Sequence, residues 1–178
     1  PYLRFYFRFL ENRQEQLALG IQDQALAEIS KHLIDFIGTY TWEEICREWT
    51  IRAGAKGELP YLPDQIGSTW NAKAQVDVVG FNSMEKTLIL GECKWTRSQT
   101  KPRVLKELIE KKTNNIIPEE GNWQIFFTGF SRSGWTSSAL VYENQIMEEL
   151  PSDSNWDASG IRLVDLAQLD QDLQKWTA

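Results

Sequence analysis

Cysteine is scarce in this chain. Cys46 and Cys93 are its two cysteines, too few for a disulfide framework and not at the CxxC spacing of a zinc or redox site. Both are expected to be reduced thiols of a core. Histidine is scarcer still: His32, between Lys31 and Leu33 in an amphipathic stretch, is the single one and is expected to play an ordinary part in a helix. A His-based catalytic dyad or zinc centre is therefore disfavoured. No apolar run approaches the roughly 18 to 20 residues that span a bilayer, and no basic, apolar and small-residue leader opens the sequence. These absences lead to the expectation of a cytoplasmic protein with no membrane partner. No Gly-rich phosphate loop occurs either, so nucleotide hydrolysis cannot be assigned to these residues.

Core material is plentiful: 42% of the 178 residues are hydrophobic, with eight Trp, eight Phe and five Tyr. That length suits one domain burying about 70% of its unfolded surface. The net charge of −6 argues against a protein that coats nucleic acid generically, because counterion release needs clustered Lys and Arg. Its distribution is uneven. Residues 118–178 carry ten acids against three bases, whereas the stretch from Lys94 to Lys112 carries seven bases and two acids. That basic stretch can touch phosphate or simply form a solvated helix face.

Along the chain, the aromatic opening Tyr2-Leu3-Arg4-Phe5-Tyr6-Phe7-Arg8-Phe9 starts without an initiator Met and reads as cut from something longer. Apolar residues at Leu26, Ile29, Leu33, Ile34 and Ile37 predict a helix over 23–37, with Asp23 as its cap and Gly38 as its end. Thr41 is placed to cap a second helix with the stripe Trp42, Ile45, Cys46 and Trp49. After a Gly and Pro loop, strands are predicted over 65–70, 74–81 and 87–95, the last two joined by a tight turn at 83–86. A helix from Pro102 to about Ile116, a buried strand over 123–130, a helix over 135–150, a short strand over 161–164 and a terminal helix over 166–176 complete the order. Such an order packs as a mixed sheet flanked by helices.

Charges inside two apolar strands are the anomaly. Glu92 and Lys94 share one strand face, while Gly91, Cys93 and Trp95 share the other. If residues 83–86 form a four-residue hairpin loop, Asn82 pairs with Thr87 and, by count, Asp77 opposes Glu92. Two carboxylates so placed would repel unless a cation lies between them, and Mg²⁺ takes oxygen ligands of this kind. Lys94 beside them can orient or deprotonate a water and hold phosphate oxygens. The alternative is a buried salt-bridge cluster in which both acids pair with Lys94. The two readings differ in metal-free stability: without a cation, removing one of two repelling charges should cost nothing, whereas breaking a buried cluster should cost about 3–5 kcal/mol.

Asp77 on one strand and Glu92-x-Lys94 on the next, within helix, three strands, helix, strand, resembles the PD-(D/E)XK nuclease superfamily. The resemblance implies a restriction-endonuclease-like α/β fold with an N-terminal helical extension over residues 1–40 and the nuclease-like domain over 41–178. It also implies catalytic roles for Asp77, Glu92 and Lys94, an auxiliary Glu43 on the Trp42-Glu43-Glu44-Ile45-Cys46 helix with Glu44 as fallback, and a Mg²⁺ or Mn²⁺ site drawing on Asp77, Glu92 and Cys93. More narrowly, the aromatic opening, Gln75-Val76-Asp77-Val78-Val79, Gly91-Glu92-Cys93-Lys94-Trp95 and Phe130-Ser131-Arg132-Ser133-Gly134-Trp135 resemble the C-terminal domain of unknown function of archaeal-type P-loop ATPases. That likeness implies a longer ATPase, with ATP bound only by a preceding module. Within the last motif, Ser131, Ser133 and Gly134 are placed to free N–H groups at a helix start, either for an anion or as an ordinary cap. The activity so implied is cleavage of nucleic acid, DNA above all; the alternative is a catalytically silent docking module of the ATPase.

Overall fold

A computed structural model describes residues 2–70, 74–118 and 120–177, and the chain divides into two compact units, 1–44 and 45–178, the boundary falling inside one helix. The first unit is helical. Helix α1 (Tyr2–Phe5) runs through a wide turn at Tyr6–Leu10 and a tight one at Glu11–Arg13 into α2 (Gln14–Ala18), and α3 follows (Gln22–Phe36). Phe5, Phe9 and Phe36 close this unit, with ring centroids 5.1 to 5.9 Å apart. Leu26 and Ile34 of the expected α3 stripe are exposed, and Asp23 lies in the first turn of α3 without capping it, since the N-cap residue is Ile21. Gly38 does not end the helical path. The backbone stays right-handed through a wide turn at Ile37–Thr41 and enters α4 (Trp42–Ala55), so Thr41 caps nothing.

The second unit is α/β. Strands β1 (Gln65–Trp70), β2 (Gln75–Asn82), β3 (Thr87–Lys94), β4 (Trp123–Ser131), β5 (Ser152–Asp153) and β6 (Trp156–Asp165) form one sheet in the order β1-β2-β3-β4-β6-β5. The pairs β1·β2, β2·β3 and β5·β6 are antiparallel, whereas β3·β4 and β4·β6 are parallel. The parallel pairs need crossovers, supplied by α5 (Arg103–Glu107, continued by turns to Asn115) and α6 (Ser137–Glu148); α7 (Leu166–Thr177) closes the chain. The expected mixed α/β sheet with flanking helices and an N-terminal helical segment is thus observed.

Period-2 alternation sorts the buried residues between two faces. On one, Leu88 and Leu90 of β3 and Ile125 and Phe127 of β4 cluster with Leu105, Leu108 and Ile109 of the first crossover and Ala139 and Ile146 of α6. On the other, Trp49 of α4 meets Phe130 edge-on at 5.4 Å and donates from Nε1 to Asp172 of α7 at 2.9 Å. The last crossover begins later than the residues suggest: α6 starts at Ser137 with Thr136 as its cap, and Trp135 instead bridges to Thr100. Strand β6 is also longer than its apolar stretch, and β5 was not anticipated. No helix among the described residues is long and apolar enough to cross a membrane.

Candidate functional site

The turn at 83–86 sets the register on which the site depends. Glu85 N–H donates to Asn82 Oδ1 at 3.0 Å, Lys86 takes the left-handed conformation at φ 51°, and the ladder runs from Asn82↔Thr87 to Val78↔Gly91. Asp77 and Glu92 come next on their strands. Both are buried, at 7% and 3% exposure, and Glu92 points to the face covered by the first crossover, where it meets Lys112.

Asp77, Glu92 and Lys94 are brought together. Lys94 Nζ lies 2.8 Å from Glu92 Oε2 and 3.8 Å from Asp77 Oδ2. Asp77 Oδ2 also accepts the Cys93 backbone N–H at 2.9 Å, which fixes the carboxylate against β3. Arg47 Nη1, from α4, donates to the Asp77 carbonyl at 2.7 Å and pins the strand from the other side. Burial alone would lower the pKa of Lys94, but the charge and hydrogen bond of Glu92, with Asp77 adding to them, outweigh it and raise the value above that of an ordinary lysine. Its ammonium in this arrangement faces both carboxylates.

A fourth charged group was missed in the sequence. Lys112 Nζ contacts Glu92 Oε1 at 2.5 Å, so each oxygen of that carboxylate meets a different ammonium. Lys112 stands twenty residues away, at the end of the wide turn Leu108–Lys112, and the basic character of 94–112 was the available signal. Two acids and two lysines make a cluster with no net charge, which removes the repulsion expected between the acids alone.

Cys93 contributes its main chain to the acids. Its thiol lies on the opposite face, where it hydrogen-bonds the fully buried Cys46, and burial first, then this neighbour, pushes the Cys46 thiol well above the usual range. Glu43 is half-buried in the first turn of α4, within the first unit, and its fallback Glu44 pairs with Arg4 at 2.6 Å. His32 pairs with Glu28 one helical turn away, at 3.2 Å. Among the described residues no three His, Cys, Asp or Glu side chains gather to hold a metal by themselves.

The Ser131 to Trp135 corner is not an anion site at a helix start. Arg132 N–H donates to Lys94 O at 3.0 Å, Gly134 N–H turns back to Ser131 O at 3.4 Å, and α6 begins beyond it with its own cap. Ser131 Oγ and Ser133 Oγ are likewise committed, to Gly134 O and Thr96 O.

No curated protein and no solved structure matches the chain. Residues 6–116, which include α2, α3, α4, the hairpin and the first crossover, match the family DUF234, described as Archaea bacterial proteins of unknown function. The chain belongs to that family.

Proposed function

We propose that the chain is a metal-dependent nuclease domain of the PD-(D/E)XK type, hydrolysing phosphodiester bonds of nucleic acid, DNA above all, and lying C-terminal to a P-loop ATPase module in the full protein. One observation carries the reading: two buried carboxylates on adjacent strands, Asp77 and Glu92, face one ammonium, Lys94, at the end of β3. The donors suit a hard cation, being carboxylate oxygens to which substrate and water would add to complete the shell. Magnesium or manganese, when bound, supplies polarisation of the scissile phosphate and acidification of the attacking water. Asp77 and Glu92 would hold it.

Lys94 would set its ammonium against a phosphate oxygen and offset the charge that builds there. In hydrolysis the water oxygen bonds to phosphorus and one P–O ester bond breaks. The water gives a proton to solvent, and the leaving alkoxide takes one up. The narrower resemblance, to the C-terminal domain of archaeal-type P-loop ATPases, supports the preceding ATPase module, through which alone ATP would bind.

A second reading, a catalytically silent docking module, is favoured by the occupied Glu92: with an ammonium on each oxygen it is satisfied without any ligand. Incubation of the whole chain with plasmid and single-stranded DNA, in Mg²⁺, in Mn²⁺ and in chelator, separates the two. The nuclease reading expects cleavage in either metal, none in chelator, and its loss in Asp77→Asn. Folded protein that cuts nothing in any buffer leaves the docking module.

A further inference from the structure

Beyond the carboxyl end of β3 lies a second cluster that neither Asp77 nor Glu92 uses. The guanidinium of Arg132 stacks over the Trp95 ring, 4.7 Å from its centroid. Arg132 is tied by its backbone to Lys94 O at 3.0 Å, so the stacked pair starts one residue past the triad. Both side chains are half-exposed, and among the described residues no carboxylate lies within ion-pair distance of Arg132. A half-exposed guanidinium held flat on an indole presents a planar cation to solvent.

Arg132 also lines a cleft of about 540 Å³ together with Gln99, Trp135, Leu163, Asp165 and Gln168. The volume suits a nucleotide. Its position is set by the parallel register: Lys94 pairs with Ser131, and Ser131 with Asp165, so the three stand in one row across β3, β4 and β6. Two strand spacings put Asp165 about 10 Å from Lys94. That is within the span of a dinucleotide whose scissile phosphate rests at the triad. Crevices outside the carboxyl ends of parallel strands are where α/β sheets bind ligands. The walls differ in charge: Arg132 at one side attracts phosphate, while the Asp165 carboxylate repels it and can accept a hydrogen bond from an amino-bearing base.

We propose that this cleft takes one unpaired nucleotide next to the scissile phosphate, its phosphate on Arg132, its base against the Trp95–Arg132 stack and its exocyclic amino group toward Asp165. The substrate is thereby single-stranded, because a base inside a duplex cannot leave its stack at so little cost. This inference rests on the nuclease reading for the position of the scissile phosphate, but its test measures binding alone.

Fluorescence anisotropy of the whole chain in EDTA, with labelled oligo(dC), oligo(dT) and a duplex of equal length, is the experiment. Unaltered protein should prefer oligo(dC) to oligo(dT) and both to duplex. Arg132→Ala should weaken single-strand binding about tenfold or more while leaving duplex binding within twofold. Asp165→Asn, which keeps the hydrogen bond that Asp165 Oδ1 accepts from Gln168 N–H, should abolish the preference for oligo(dC). Melting curves establish that both variants are folded. Equal losses for single strand and duplex in Arg132→Ala, no loss at all, or an unchanged base preference in Asp165→Asn would overturn the proposal. Cleavage that fails while this binding pattern holds removes the nuclease reading and leaves the nucleotide cleft standing.

Discussion

At the scale of single residues, charge compensation decides what the acids of the site do without a ligand. Glu92 is buried and both its oxygens meet ammonium groups, so Glu92→Gln leaves Lys94 and Lys112 facing a neutral amide. Both lysines are partly exposed and can turn toward water, which limits the loss to about 1–3 kcal/mol in metal-free denaturant titrations. The metal-site reading of the sequence expects no loss and the salt-bridge reading about 3–5 kcal/mol; two lysines that can reach water give a value between them. Lys112→Met acts in the opposite sense on cation binding. It leaves the cluster with one uncompensated negative charge, and Mn²⁺ titration by calorimetry should show tighter binding than in the unaltered protein, with none in Glu92→Gln. Glu143, on α6, offers a pH test away from the acids of the hairpin. Burial raises its pKa, opposed in part by the Leu163 N–H it accepts at 2.8 Å and by Arg162. A carboxyl that holds its proton more tightly when folded lowers stability as pH rises from the ordinary glutamate range through its raised value. Glu143→Gln keeps the accepted hydrogen bond and removes that fall. Its melting temperature should match the unaltered protein at acid pH and exceed it by about 1–2 °C at neutral pH; equal melting curves at neutral pH would contradict the assignment.

At the scale of elements, β3 is the strand with least freedom. Of its eight residues only Lys94 is not buried, and Gly91 has no room for a side chain: a Cβ there would stand 2.3 Å from Thr128 Oγ1 and 3.1 Å from Val78 Cβ. Gly91→Ala should cost about 1–3 kcal/mol in urea unfolding, against little change for Gly67→Ala on edge strand β1, where nothing lies within 4 Å. The hairpin was legible from the residues because its loop is short and its signals are local: Ser83-Met84-Glu85-Lys86 between apolar runs fixes Asn82 on Thr87, and the ladder runs from there to Val78↔Gly91, one residue short of Asp77 and Glu92. The helices were less legible. Gly38 and Thr41 look like a stop and a start, yet a wide turn carries the helical path through them, a tertiary choice that propensity does not encode. Strand β6 begins in Trp156-Asp157-Ala158-Ser159-Gly160, a loop by composition, which nevertheless extends along β4 with a bulge near Ile125 and Phe126. Lys112 was hidden for a third reason: its contact with Glu92 depends on how the wide turn Leu108–Lys112 aims one side chain, which periodicity cannot supply.

At the scale of the whole molecule, an acidic chain of net charge −6 has its basic stretch, seven bases against two acids, between Lys94 and Lys112, starting at the carboxyl end of β3. Binding of nucleic acid should therefore depend on few contacts. If Lys94, Arg97, Lys101 and Arg132 meet phosphates, the affinity for single strands should fall with salt at a log–log slope of roughly −3. A slope near zero would mean that those four groups touch no phosphate. The sheet also has a seam. Strand β3 pairs antiparallel with β2 and parallel with β4, so Asp77, Glu92 and Lys94 come from a hairpin closed by four residues, whereas Lys112 and the Arg132 cleft arrive only after long crossovers close. Local contacts form sooner than distant ones because less loop entropy must be overcome. During refolding, then, the acids should converge before their second lysine and their neighbouring cleft exist. Pulsed hydrogen exchange should find the β2–β3 amides protected ahead of those of β4 and β6, and the earliest structured form of this protein would be a bare pair of carboxylates with one ammonium between them.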